Sequence, residues 1–216
     1  FTYKKGGWDC YRHYEILSNN CLPLFLDIDK CPEHTLYKFP KQILSNILTD
    51  FNLNLIDNNS YNSYIEQLNK YTHQHLTCEA NALYFLNILK KYKSIDNPNI
   101  LLIAGKQLNY SVATLAIGLR NTINSNFIDS PKIEKIYESS NTPTFNLAVL
   151  KDDNINRNDI DDKIKTKYFD FIIFGSVGPD ESSSMNNMVN DDKFKHYNSN
   201  EKIFIFGGDR SFNMIT

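Results

Sequence analysis

The chain has no run of apolar residues near the roughly 18–20 needed to cross a bilayer as a helix. Its longest such runs, at 100–104 and 171–174, have the length of buried strands. It also lacks a basic excess. Lys and Arg number 23 against 25 Asp and Glu, a formal net charge of −2, so the electrostatic footprint of a nucleic-acid binder is missing. Only four cysteines occur, Cys10, Cys21, Cys31 and Cys78, with no CxxC pair and no common zinc spacing. That is too few for a disulfide scaffold and fits ordinary thiols in a reduced, cytoplasmic setting. No GxGxxG fingerprint follows a strand-like run, which argues against an enzyme using a nicotinamide or methyl-donor cofactor. The start, 1–7, is polar and basic with no apolar signal-type stretch behind it, and no initiator Met opens the chain, as expected of a window cut from a longer protein.

What is present is an ordinary globular composition, 41% hydrophobic and 22% charged over 216 residues. Two textures divide it, 1–92 and 97–216, joined by a polar connector at 93–98 in which Pro98 disfavours helix at Asn97. In the first region a helix is expected at 9–19, opening behind Gly6-Gly7 with Asp9 as N-cap and closing at Asn19-Asn20, since Asn tolerates the left-handed conformation. A short strand at 22–26 and a Pro-punctuated loop at 31–40 follow. A helix is expected at 42–49, a loop at 52–60, and helices at 61–71 and 78–91, the last capped by Thr77.

The second region has another rhythm. An all-apolar strand at 100–104 and a helix at 111–122 precede a weaker strand at 145–150 and further strands at 171–174 and 203–206. Continuous apolar strands imply burial on both faces, so the fold class is α/β, a Rossmann-like parallel sheet covered by helices. Gly105, Gly175-Ser176 and Gly207-Gly208 follow strands where such sheets place ligands, or serve only as tight turns. The polar stretches 151–158 and 178–190 read as loops.

Chemistry concentrates at 4–17, KKGGWDCYRHYEIL. Gly6 and Gly7 let an anion approach the backbone ahead of a helix N-terminus, where the dipole adds partial positive charge and Lys4, Lys5 and Arg12 add full ones. Arg12 is suited to grip a diphosphate with two parallel hydrogen bonds. Glu15, one turn on and on the same face, is suited to accept from ribose hydroxyls. The competing reading is a plain surface ion pair between Arg12 and Glu15. His13, as a scaffold histidine or a general base, and Trp8, as core anchor or stacking platform, stay open. So does Asp209, as a catalytic group at a strand end or an N-cap.

The string at 4–41, KKGGWDCYRHYEILSNNCLPLFLDIDKCPEHTLYKFPK, resembles a group of glycosyltransferase-like proteins of bacteria and large DNA viruses. Their pattern runs KKGGWDCxRHYEIxxxGCxPxF, then CP, then FPK; more distantly it is similar to exostosin-type transferases. The family glycine before the second cysteine is Asn20 here. The stretch HLTCEANALYFL at 75–86 is similar to the family's closing helix. GLR at 118–120, DSPKIEKIY at 129–137, YFDFIIFGS at 168–176 and IFIFGGD at 203–209 are similar to its N-terminal half. The resemblance implies the two halves of a GT-B fold in inverted order, donor-binding portion at 1–92 and Rossmann-like half at 97–216. A window across tandem units, a circular permutation and an incomplete product all fit that order. It further implies transfer of a sugar from a nucleoside-diphosphate donor to a glycan, protein or lipid acceptor. Lys5, Gly6, Gly7, Arg12 and Glu15 would hold the donor, and the general base, with His13 and Asp209 as candidates, would face the cleft between the halves. No metal and no cofactor beyond the donor are expected, and Asp27-Ile28-Asp29, which spells DxD, is read as part of the loop leading to the CP. The alternative function is a nucleotide-sugar-binding module without catalysis.

Overall fold

The computed structural model describes residues 1–4, 7–105, 110–141, 149–177, 188 and 191–206. Two compact units partition the chain, Phe1–Ala80 and Asn81–Thr216.

The first unit is built from helices α1 (Tyr11–Ser18), α2 (Lys41–Asn52) and α3 (Asn58–His75), and α4 (Cys78–Leu89) begins at its end. Leu44, Ile47 and Leu48 recur at helical spacing and bury one face of α2 against Leu17, Phe25, Ile28 and Leu68. The N-cap of α1 is Cys10, extended at φ −147 and without a side-chain cap, so Asp9 does not fill the capping place expected of it. The far end follows the sequence expectation. Asn20 takes φ 54 while its N–H donates to Leu17 O at 3.2 Å and that of Cys21 donates to Ile16 O at 3.1 Å. This is a Schellman closure with Asn in the position usually held by glycine. The strand expected at 22–26 is reduced to one parallel bridge between Thr2 and Phe25. The loop expected at 52–60 is shorter than foreseen, because Asp57 and Ser60 form a capping box that starts α3 at Asn58. Thr77 does cap α4, its hydroxyl accepting from the Ala80 N–H at 3.1 Å.

The second unit is α/β, with a four-stranded all-parallel sheet of order β2-β1-β3-β4. Its strands are β1 (Ile100–Ile103), β2 (Phe127–Ser130), β3 (Phe171–Val177) and β4 (Lys202–Phe206), with helices α5 (Tyr110–Ile123) and α6 (Ile160–Lys165). Side chains alternate across the sheet. Leu101, Ile128, Ile172 and Phe174 form one core with Ile160 and Ile164 of α6 and with Phe169, Phe194 and Tyr197. Gly175 lies inside β3, not after it. A Cβ there would come within 3.0 Å of Val112 Cγ1 and 3.2 Å of Leu102 Cδ1, so the glycine is what lets α5 approach the strand. Strand β2 and helix α6 were not expected from the sequence. Most of the strand expected at 145–150 lies outside the described residues, although Leu150 bridges Tyr137 in parallel. Gly207-Gly208 and most of 178–190 also lie outside them.

Candidate functional site

The signal at 4–17 folds as a short extended lead-in followed by α1. The Thr2 N–H donates to Leu24 O at 2.8 Å, and the Leu26 N–H donates to Thr2 O at 3.1 Å. The Lys4 N–H then donates to both carboxylate oxygens of Asp27, at 3.2 and 3.4 Å. Asp29 accepts from the Ser45 hydroxyl at 2.6 Å. Both carboxylates of the DxD triplet therefore have structural work, and among the described residues no cluster of three or more His, Cys, Asp or Glu is placed to hold a metal.

The buried face of α1 is fixed by His13. Its side chain is only 1% exposed, with Nε2 3.1 Å from the Trp8 carbonyl and Nδ1 3.2 Å from the Thr2 hydroxyl. A carbonyl can only accept, so Nε2 carries the proton and Nδ1 accepts from Thr2. The imidazole lies 4.6 Å from the Phe25 ring and 6.0 Å from that of Phe39. Burial lowers its pKa against the opposing pull of the Trp8 carbonyl. A general base needs an accessible lone pair, and here the lone pair is already committed. In this geometry His13 is a clamp between α1 and the lead-in. Trp8, half-buried, stacks on Phe25 at 6.2 Å and 22°, with the Lys4 ammonium 5.6 Å from its ring.

The other face of α1 carries Arg12 and Glu15, both exposed. They form no ion pair with each other, and among the described residues neither side chain makes a hydrogen bond or ion pair; Glu15 acts on Tyr11 and Arg12 on His13 only through charge. No side chain caps the helix, and the His13 N–H turns back to Cys10 O at 3.0 Å. The positive end of the α1 dipole and Arg12 favour an anion here, and the exposed Glu15 carboxylate stands one turn away. Lys5, Gly6 and Asp209 lie outside the described residues.

A second cluster of charge lies at the carboxyl end of β2. Asp129, fully buried, accepts from Arg157 Nη2 at 2.6 Å, the Tyr137 hydroxyl at 3.1 Å and the Ile133 N–H at 2.7 Å. Arg120 Nη2 lies 3.4 Å from Asp129 and 3.1 Å from Asp153, and Arg157 also pairs with Asp153 at 2.8 Å. Burial alone would raise the Asp153 pKa. Hydrogen bonds from Arg157 and Tyr137, with the charges of Arg157 and Arg120, outweigh it and hold the carboxyl at about 2. Two cations thus balance two anions. Arg120, Asp129 and Tyr137 belong to the GLR and DSPKIEKIY strings, so the structure joins two motifs that sequence could only set side by side. Asp153 and Arg157 were missed, because 151–158 has no regular structure and its polarity reads as a loop. The one available hint was an Asp and an Arg four residues apart.

Compared with known protein families, with curated proteins and with solved structures, the chain matches none. The class that the fold defines is α/β with an all-parallel sheet, and among the described residues no helix is long and apolar enough to cross a membrane.

Proposed function

We propose that the chain supplies the donor site of a glycosyltransferase that moves a sugar from a nucleoside diphosphate to a glycan, protein or lipid hydroxyl, in the metal-independent GT-B manner. One observation carries the reading. Arg12 and Glu15 stand exposed, without an ion pair among the described residues, one turn apart at the head of α1, while the opposite face of that helix is locked by His13. Exposed charge is ordinary on a surface; what supports the reading is its placement at the head of a helix behind a glycine pair. In this reading the diphosphate lies against Gly7 at the positive end of the α1 dipole, and Arg12 grips it with two parallel hydrogen bonds. Ribose hydroxyls donate to Glu15. As the sugar leaves, helix dipole and guanidinium stabilise the charge on the departing diphosphate.

A nucleotide-sugar-binding module without catalysis is the second reading, favoured by the enclosure of His13. A nicotinamide enzyme is disfavoured by Asp129. The acid at the carboxyl end of a second parallel strand is the group that would hold a dinucleotide's ribose, and here two arginines and a tyrosine occupy it.

The test is a thermal-shift panel of UDP, GDP, dTDP, CMP and their sugars, with Arg12→Ala and Glu15→Ala in parallel. A nucleotide at a hundred times its Kd should stabilise the chain by about 2.7 kcal/mol, and both variants should lose that shift. Cooperative melting that no nucleotide alters would sink the proposal. Release of sugar from the stabilising donor separates the enzyme from the module.

A further inference from the structure

A cleft of ≈ 400 Å³ opens in the first unit between the loop 31–40, the first turn of α2 and Tyr71 of α3. The cleft is shallow and wide open to solvent. The loop is mostly turn, yet it is tied down several times over. Lys41 Nζ donates to Pro32 O at 2.8 Å and to Glu33 O at 2.9 Å, and the Cys31 thiol donates to Thr35 O at 3.6 Å. From the far side the Tyr71 hydroxyl donates to Lys38 O at 3.1 Å. Leu36 sits at φ 50 with its side chain buried, a left-handed conformation that costs a leucine about 1–3 kcal/mol. Beside this inward residue, Tyr37 stands 67% exposed on the cleft wall. A loop pinned and strained so that it holds a large aromatic ring in solvent is a preorganised rim.

The chemistry of the lining narrows the ligand. The ammonium of Lys41 is already given to two carbonyls, and the exposed carboxylate of Glu33 has no partner among the described residues, so an anion gains little here. A purely apolar ligand would strip water from Glu33 and Gln42 without replacing its hydrogen bonds. A pyranose answers both objections. Its C–H face packs on the electron-rich face of an aromatic ring. Its hydroxyls donate to the Glu33 carboxylate and to Gln42 Oε1, since Gln42 Nε2 is already given to Asn46 at 3.1 Å. Its ring and hydroxyl oxygens can accept from the Gln42 and Ile43 N–H groups of α2, for which Pro40 offers no side-chain acceptor, whereas the Lys41 N–H is given to Phe39 O at 2.7 Å.

We infer that this cleft binds carbohydrate, with Tyr37 as the stacking ring and Glu33 and Gln42 as hydroxyl acceptors. Under the transfer reading it is a subsite for a glycan acceptor; the binding itself does not depend on that reading. The experiment is an NMR titration of the full chain, labelled with 15N, with maltose, cellobiose, lactose and N,N′-diacetylchitobiose, and with inorganic phosphate and uridine as comparison ligands. At least one disaccharide should shift the Gln42 side-chain amide saturably. Tyr37→Ala should weaken that binding about tenfold or more, Glu33→Gln should weaken it too, and Arg12→Ala should leave it unchanged. The inference fails if no disaccharide shifts these signals at millimolar concentration. It also fails if phosphate or uridine shifts them instead, or if Tyr37→Ala binds as the parent does. Disaccharide binding in a chain that ignores every nucleotide would defeat the transfer reading and leave this one standing.

Discussion

His13 shows how one residue type changes meaning with its surroundings. Placed between a charged helix and a glycine pair it resembles a catalyst, but both its ring nitrogens are spent on Thr2 and Trp8. The consequence is a pH dependence of folding. Burial lowers its folded pKa below the ordinary value near 6.5, so below about pH 6.5 the unfolded chain takes up a proton that the folded chain resists. The His13 contribution is therefore whole above that pH and declines as pH falls toward the folded value. Urea unfolding measured between pH 7 and 5 should show stability dropping, and His13→Gln should flatten that part of the profile. The same variant should cost about 2 kcal/mol at neutral pH, because buried partners lose a matched hydrogen bond. A parallel profile for parent and variant would remove His13 as the titrating group. At this scale the sequence was most legible where local stereochemistry decides. Asn20 was readable as a left-handed closure, and it adopts φ 54. Whether His13 faces in or out depends on the distant Thr2 and Phe25, and no local pattern encodes that.

Among the elements, α2, α5, β1, β3 and β4 were legible because apolar residues recur at a clear period or run together without interruption. Strand β2 was not. Only Phe127 and Ile128 are apolar, and Asp129-Ser130-Pro131 follows as a turn would. The strand exists because Arg120 and Arg157 neutralise a buried Asp129 from outside the segment. Helix α3 was foreseen three residues too short at its start, because Ser60 rather than Glu or Gln completes its capping box. The Ser60 N–H donates to Asp57 Oδ1 at 2.8 Å, and the Asp57 N–H donates to Ser60 Oγ at 2.8 Å. Since α3 buries only Leu68 fully, its first turn leans on that cap more than on packing. Asp57→Ala should cost about 1 kcal/mol and Asp57→Asn only a fraction of it, read as a lowered melting temperature in circular dichroism. Equal melting of parent and Asp57→Ala would mean that the turn is held by other contacts.

For the whole molecule, each unit closes its own core, and the second depends on a charge network that links α5, β2, the turn at Tyr137 and the irregular segment carrying Asp153 and Arg157. Such a network is costly to break from one side, because the remaining charges stay buried without counter-ions. The Asp153 carboxyl is held at about 2, below an unfolded value near 3.9. Its stabilising contribution is therefore present in full above about pH 4 and is lost as pH falls toward 2. Asp153→Asn should remove about 3 kcal/mol at neutral pH by leaving Arg120 and Arg157 under-compensated. Hydrogen exchange read by mass spectrometry gives the location as well as the size. In the parent, protection of the β1 and β2 amides should fall as pH drops from 4 to 2, after correction for the intrinsic exchange rate. In Asp153→Asn it should be low throughout. If the variant keeps the parent's protection at neutral pH, the network is an ornament on a sheet that packing alone sustains. The sheet would then be held by the core of Leu101, Ile128 and Ile172, with Asp129 still fixed by Arg157, Tyr137 and the Ile133 N–H.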